Sequence, residues 1–214
     1  MAATDPSATQ RLAALERGTT AAEALALYDD LPSATVEQLL GAWTGHSLPT
    51  GHPFDGLLEA YGWHGKRFDS PEDAHPLVFA DERGLFDVNP AALPLPLVVR
   101  LSRPLEQDLV AKLARRSLRL FRTRRPRARL RMVEYRGVLT GSMVYDALPI
   151  IDHFRTVDRD TLLGAMDLRG VPDPFVFVLR RPMADPTGPV SSWSLSSRPG
   201  TRRTPPRTAG PPAG

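Results

Sequence analysis

Tyr145, Asp152, His153 and Arg155 bring a phenol, a carboxylate, an imidazole and a guanidinium into one short stretch of this 214-residue chain. If the stretch is a strand, Ile150, Asp152 and Phe154 share one face and Ile151, His153 and Arg155 share the other. A carboxylate among apolar neighbours is costly unless paired, so an inward Asp152 calls for an arginine or tyrosine on another strand. Such a pair can be purely architectural. If it lines a cavity instead, it can orient a polar ligand head or act as general acid and base, with Asp152, His153, Arg155 and Tyr145 as the catalytic candidates; architecture carries the greater weight. Arg155 or Arg131 could also hold a carboxylate or phosphate in the planar fork of a guanidinium.

A second group of candidates stands near the front. His46 and His52 occur as Gly45-His46 and Gly51-His52, and two imidazoles in one loop raise the question of a metal. A site needs at least three converging ligands, and adding His64 or Asp55 matches no established spacing, so no metal is expected. His46 and His52 are expected instead to be structural or ligand-polarising, since a loop against a barrel mouth points side chains toward whatever enters, and Trp43 of the same block is a further ligand-binding candidate. Trp63 and Lys66, in Trp63-His64-Gly65-Lys66-Arg67-Phe68, join the ligand-binding candidates. Lys66 is one of only two lysines; the simplest reading is an exposed strand residue whose stem covers an aromatic, with a buried amine as the alternative. No glycine-rich phosphate loop, nucleophile elbow or dinucleotide fingerprint is present, and no cofactor is expected.

Gly41-Ala42-Trp43-Thr44-Gly45, followed by the Trp63 to Phe68 block and by Tyr145-Asp146-x-Leu148-Pro149-Ile150-Ile151-Asp152-His153-Phe154-Arg155, resembles the GXWXG-motif proteins whose C-terminal half is domain of unknown function 4334. The resemblance spans roughly residues 31–181 and implies a calycin or lipocalin-like architecture, in which the tryptophan motif closes the barrel end. It implies no reaction.

The elements that must position these groups can be read from local signals. Thr20-Ala21-Ala22-Glu23 has capping-box spacing and predicts a helix over 21–30; Thr35-Val36-Glu37-Gln38 repeats it, with Gly41 as the stop. The glycines around Trp43 predict a sharp turn, and Asp55 predicts a further helical turn ending near Gly62. After His75 the pattern changes to short β-prone runs at 77–80, 85–88, 97–101, 129–135, 138–145, 150–157, 162–168 and 175–179. Tight connections at Glu82-Arg83-Gly84, Arg136-Gly137 and Arg159-Asp160 make neighbours antiparallel. The expected fold is mainly β with N-terminal helices: an antiparallel, calycin-like barrel of about eight strands. Leucines over 104–121 predict one interrupting helix.

Composition sets the outer limits. Without cysteine there is no disulfide framework, thiolate metal site or cysteine nucleophile. The start carries no secretory signal, and the longest apolar stretch, 91–99, is broken by Pro94 and Pro96. A soluble, cytoplasmic protein without a transmembrane segment is expected. The net charge of +3 belongs to the tail at 182–214, which holds four arginines and one aspartate; its Pro-rich, apolar-poor composition predicts disorder, with Trp193 its one large aromatic. Nine arginines between Arg115 and Arg131 form a local basic run, but Phe121 alone supplies an aromatic, which argues against nucleic acid. The expected organisation is a helical segment at 1–30, one barrel domain at 31–181 with halves 31–101 and 102–181, and the tail. The expected partner is a small apolar or amphipathic molecule, with no oligomeric state implied. The alternative is a cofactor-independent cyclase, isomerase or lyase acting on a terpenoid, polyketide or lipid-like substrate, and a third reading is an interaction module built on the arginines.

Overall fold

The computed structural model describes residues 6–93 and 117–182. Three helices open the chain: α1 (Ala8–Leu15), α2 (Ala21–Asp30) and α3 (Val36–Leu39). Each begins with a reciprocal capping box, Ser7 with Gln10, Thr20 with Glu23 and Thr35 with Gln38. The hydroxyl accepts from the third helical amide while the side chain at that position accepts from the cap amide, so two groups left open at a helix start are satisfied together. The helix expected at 21–30 is present; α1 carries the same signal at Ser7 and Gln10.

Ten strands follow: β1 (Gly41–Ser47), β2 (Trp63–Phe68), β3 (Ala74–Asp81), β4 (Gly84–Val88), β5 (Arg122–Thr123), β6 (Ala128–Tyr135), β7 (Val138–Tyr145), β8 (Ile150–Asp158), β9 (Thr161–Leu168) and β10 (Phe175–Arg180). A short helix α4 (Leu57–Ala60) lies between β1 and β2. Eight strands close on themselves in the order β2-β1-β10-β9-β8-β7-β6-β3 and back to β2, all antiparallel, while β4 and β5 extend outward from β3. The tight hairpins occur where the turn residues place them. Arg136 and Gly137 both have positive φ, 51° and 76°, the type I′ condition that matches strand twist.

Three expectations are corrected. The tryptophan block is a strand, because Gly41 to Thr44 pair with Phe68 to Gly65 on one side and Thr44 to Ser47 pair with Arg180 to Phe177 on the other. The wall therefore begins at residue 41 and needs β1 and β2 to close; the segments after residue 75 do not suffice. Asp55 does not open a helix; it accepts from the amides of Gly51 and His52, and α4 starts after Gly56 in a left-handed conformation. The expected strand at 97–101, most of the expected helix at 104–121 and the tail with Trp193 lie outside the described residues. Of that helix only 117–121 are described, and Arg119–Phe121 form a 3₁₀ turn.

Two apolar layers share the wall. Inside are Phe54, Trp63, Phe68, Phe79, Leu130, Met143, Ile150, Phe154, Leu162, Phe175 and Phe177. Outside, Leu163, Ala165, Val176 and Val178 are covered by Leu12, Ala24, Leu27, Tyr28 and Leu31 of the helical segment. Strands buried on both faces read as continuous apolar runs rather than alternating ones, which is why Phe175 to Leu179 contains no polar residue. No described helix is long and apolar enough to cross a membrane.

Candidate functional site

Trp63 and Lys66 are three residues apart, so an uninterrupted strand would send them to opposite faces. The β2–β3 ladder is irregular between Trp63 and Gly65 and again between Gly65 and Arg67. A bulge shifts the side-chain phase by one, and both side chains then face inward. Close approach requires glycine here: a Cβ on Gly65 would lie 1.9 Å from the Trp43 carbonyl oxygen, and one on Gly45 would lie 2.4 Å from the Trp63 ring. Trp63 thus rests flat on the second glycine of the Gly-x-Trp-x-Gly block. On the far side Gly164 lies opposite Phe177 in the β9–β10 ladder, and its missing Cβ makes room for the Phe177 ring.

Between these aromatics stands the ammonium of Lys66, 4% exposed, and the expectation of an exposed lysine is corrected. Its Nζ lies 4.9 Å from the centre of the Phe177 ring, 5.7 Å from Trp63 and 5.9 Å from Tyr145, within the range of cation–π attraction. Nζ donates to the Pro76 carbonyl at 3.2 Å and approaches Asp152 Oδ2 to 2.7 Å. Asp152 is fully buried. The contact with Lys66 is an ion pair at short range rather than a directed hydrogen bond, and neither carboxylate oxygen receives a well-oriented donor among the described residues. Burial pushes the Asp152 carboxyl above its ordinary range, opposed by the charge of Lys66 and by the Tyr145 hydroxyl facing it. Burial, reinforced by the Asp152 charge, pushes Tyr145 well above its own. Asp152 faces inward and is paired across the barrel, as an inward carboxylate needs; the cation is a lysine rather than an arginine, joined by the expected tyrosine.

These three polar groups stand at a cavity of about 80 Å³ whose other walls are apolar, among them Phe54, Leu77, Ile150, Phe175 and Phe177. Leu57, Leu58, Leu93, Leu148 and Met166 also line it and are only half-buried, so they form its rim. An enclosed apolar cavity of about 150 Å³ admits benzene. The hollow therefore takes a polar head and a few carbon atoms, and a longer body would extend past the rim leucines.

The remaining candidates are elsewhere. Trp43 is buried at the end of the barrel, where its Nε1 donates to the Leu39 carbonyl at 2.6 Å. The Arg181 guanidinium covers the Trp43 ring at 3.8 Å and donates to the carbonyls of Leu40 and Gln38. That arrangement ties the last strand to the α3 end and closes the barrel rather than lining the cavity. His46 meets Glu16 at 2.8 Å, half-exposed, and fastens β1 to the end of α1. His52 packs its ring against Phe54 and Phe175, and burial lowers its pKa. His153 and Arg155 occupy the outer face of β8, as alternation requires, and are separated from Asp152 by the wall. His153 stacks on Tyr135 at 4.0 Å with Nδ1 2.8 Å from Ser142 Oγ, and Arg155 lies under the Tyr28 ring at 5.1 Å. Arg131 projects outward to Glu72 at 2.9 Å. The four catalytic candidates are thus not one constellation: only Asp152 and Tyr145 converge, and Lys66 and Trp63 join them. No group of three metal-ligating side chains occurs among the described residues. In the arginine run, Arg119 is paired with Asp81 and Arg129 with Asp146, so part of that charge is neutralised within the chain.

Phe175, Phe177, Gly164 and the Pro76 carbonyl escaped the sequence reading. An isolated glycine in the apolar run of β9 was the available signal, since glycine inside a strand marks close approach of a ring or backbone.

Residues 26–84 match the GXWXG protein family, and residues 126–181 match DUF4334, a domain of unknown function. Among solved structures, a protein from Thermomonospora curvata is 31% identical, with 82% of this chain and 98% of that one aligned at a TM-score of 0.61. No curated protein matches the chain. Strand β1, with its two glycines flanking Trp43, and the Asp152-bearing half of the barrel are thereby both accounted for, and the chain belongs to the GXWXG proteins that carry a DUF4334 domain.

Proposed function

We propose that the barrel, residues 31–181, binds a small apolar or amphipathic molecule whose polar end meets Lys66, Asp152 and Tyr145. The observation that carries this reading is a buried ion pair facing an otherwise apolar cavity. A pair whose only role was architectural would be enclosed on every side; here the pair borders a hollow, and neither Lys66 nor Tyr145 makes a well-oriented hydrogen bond to the carboxylate. Native mass spectrometry of the purified chain is expected to show an adduct that is lost on denaturation, or, for ligand-free protein, saturable uptake of the neutral apolar dye Nile red. Met166→Trp, which fills the hollow from its rim, should abolish both. A wild-type chain that neither retains an adduct nor takes up the dye overturns the reading.

One observation favours a catalytic version of the same site, a cofactor-independent isomerase, cyclase or lyase. Burial raises the Asp152 carboxyl, and the Tyr145 phenol faces it. A carboxyl poised above its usual range beside a proton donor suits general acid–base chemistry on an enclosed substrate. Asp152 and Tyr145 would be the catalytic residues, and His153 and Arg155 would act only by fixing β8 from behind. Turnover lost in folded Asp152→Asn protein that still binds would distinguish catalysis from carriage.

A further inference from the structure

The charge and hydrogen-bonding inventory of the cavity selects among ligand heads. We infer that the site is specific for a neutral hydroxyl group on an apolar body, an alcohol or phenol, and that it rejects carboxylates; this rests on the binding reading above. Of the described residues lining the cavity only Lys66 and Asp152 are charged, and together they are neutral. A carboxylate head would bring a second negative charge against Asp152 in a dry apolar surrounding, and an ammonium head a second positive charge against Lys66. Either leaves an unpaired buried charge, the costly case.

Among neutral heads the inventory is equally selective. Lys66 only donates: one proton goes to the Pro76 carbonyl, another faces Asp152, and three are available. Ionised Asp152 only accepts; Lys66 and the Tyr145 hydroxyl face it without either one making a well-oriented hydrogen bond, so it can take a further donor. A ketone or ester would accept from Lys66 and give nothing to Asp152. A hydroxyl does both at once, donating to one carboxylate oxygen while accepting from the ammonium. The walls of Trp63, Phe175 and Phe177 take up the apolar body, and the half-buried Leu57, Leu58 and Leu93 meet whatever extends past the rim.

The test compares 1-hexanol, hexanoate, hexylammonium and 2-hexanone, equal in chain length, by isothermal titration calorimetry on the full chain at pH 7. The expected result is tightest binding of hexanol, at least tenfold over hexanoate and hexylammonium and several-fold over hexanone. Hexanoate or hexanone binding as tightly as hexanol overturns the inference while leaving the binding reading intact; failure of all four, with no Nile red uptake, removes both. Asp152→Asn supplies a readout that an architectural role would not move. It leaves Lys66 as an uncompensated cation, so the preference should reverse toward hexanoate, and an unchanged ranking in folded variant protein overturns the inference. Where that variant does not fold, Lys66→Met leaves Asp152 alone and should shift the ranking toward hexylammonium, with an unchanged ranking again counting against it.

Discussion

Glycines set the positions of the aromatic rings around Lys66. Trp63 lies on Gly45 and Phe177 on Gly164, and in each case a Cβ would come within 2.4 Å of the ring. Gly45→Ala or Gly164→Ala is expected to cost about 1–3 kcal/mol as the ring is pushed off its site. Thermal unfolding of each variant measures this, and loss of Nile red uptake should accompany it, because both rings wall the cavity. His153 gives a pH signature from the opposite face. Burial holds its pKa down to about 4 from 6.5, with the Asp167 charge opposing and Arg155 assisting. The folded state thus binds a proton less readily than the unfolded state. The stabilisation is complete above pH 6.5 and is lost as pH falls from there toward 4, by about 3 kcal/mol in all. His153→Phe keeps the stack on Tyr135 and should flatten the acid limb of stability, measured as melting temperature against pH; an acid limb that remains as steep would exclude His153 as its source.

At the scale of elements, the wall has one thin seam. Strand β3 gives its beginning to β6 and its later residues to β4, so β3 and β6 share a single register pair, Ala74 with Ala128. The amides of Arg127 and Leu130 reach back to the carbonyls of Ala74 and Pro71 to extend the closure. By contrast, β8 and β9 pair from Ile150 with Leu168 to Asp158 with Thr161. Local opening follows the sparsest ladder. The amide protons of Arg127 and Leu130 should therefore exchange with solvent well before those of Leu163 and Phe154, by hydrogen-exchange NMR, and equal protection would show that the seam opens only on global unfolding. Strand β2 illustrates how an element decides chemistry. Its irregular pairing brings Trp63 and Lys66 to the same side, and a regular ladder would have put the ammonium in solvent, with Asp152 left alone inside.

For the molecule as a whole, helices α1 and α2 are part of the wall's solvation rather than an appendage. They cover Leu163, Ala165, Val176 and Val178, and over the same outer face Tyr28 of α2 packs on Arg155. A chain beginning after residue 31 would expose that apolar strip along neighbouring strands, a surface prone to association. Such a truncation is expected to aggregate at concentrations where the full chain remains dispersed, as followed by light scattering. A dispersed truncated barrel would show that the outer face tolerates water. Within the described part of the arginine run, Arg119, Arg129 and Arg131 are met by Asp81, Asp146 and Glu72 from other parts of the chain, so its basicity is partly spent on holding the fold.

Much of this was legible because it depends on neighbours in sequence. Capping at Thr20 and Thr35, the two-residue turn at Arg136 and Gly137, the strands from β6 to β10 and the division of Asp152 from His153 and Arg155 all follow from local hydrogen bonding and the two-residue period of a strand. The tryptophan block read as a turn because its glycines are locally permissive. It is a strand because β2 and β10 approach it too closely for side chains, a demand made by residues far along the chain. The same holds for Lys66. Its burial depends on a phase shift in a ladder with β3 and on meeting a carboxylate from β8, and a period read along one strand contains neither. Local sequence determined which segments are extended and which faces they offer; the closing of the sheet decided which charges meet, because pairing across a barrel is set by register between distant strands.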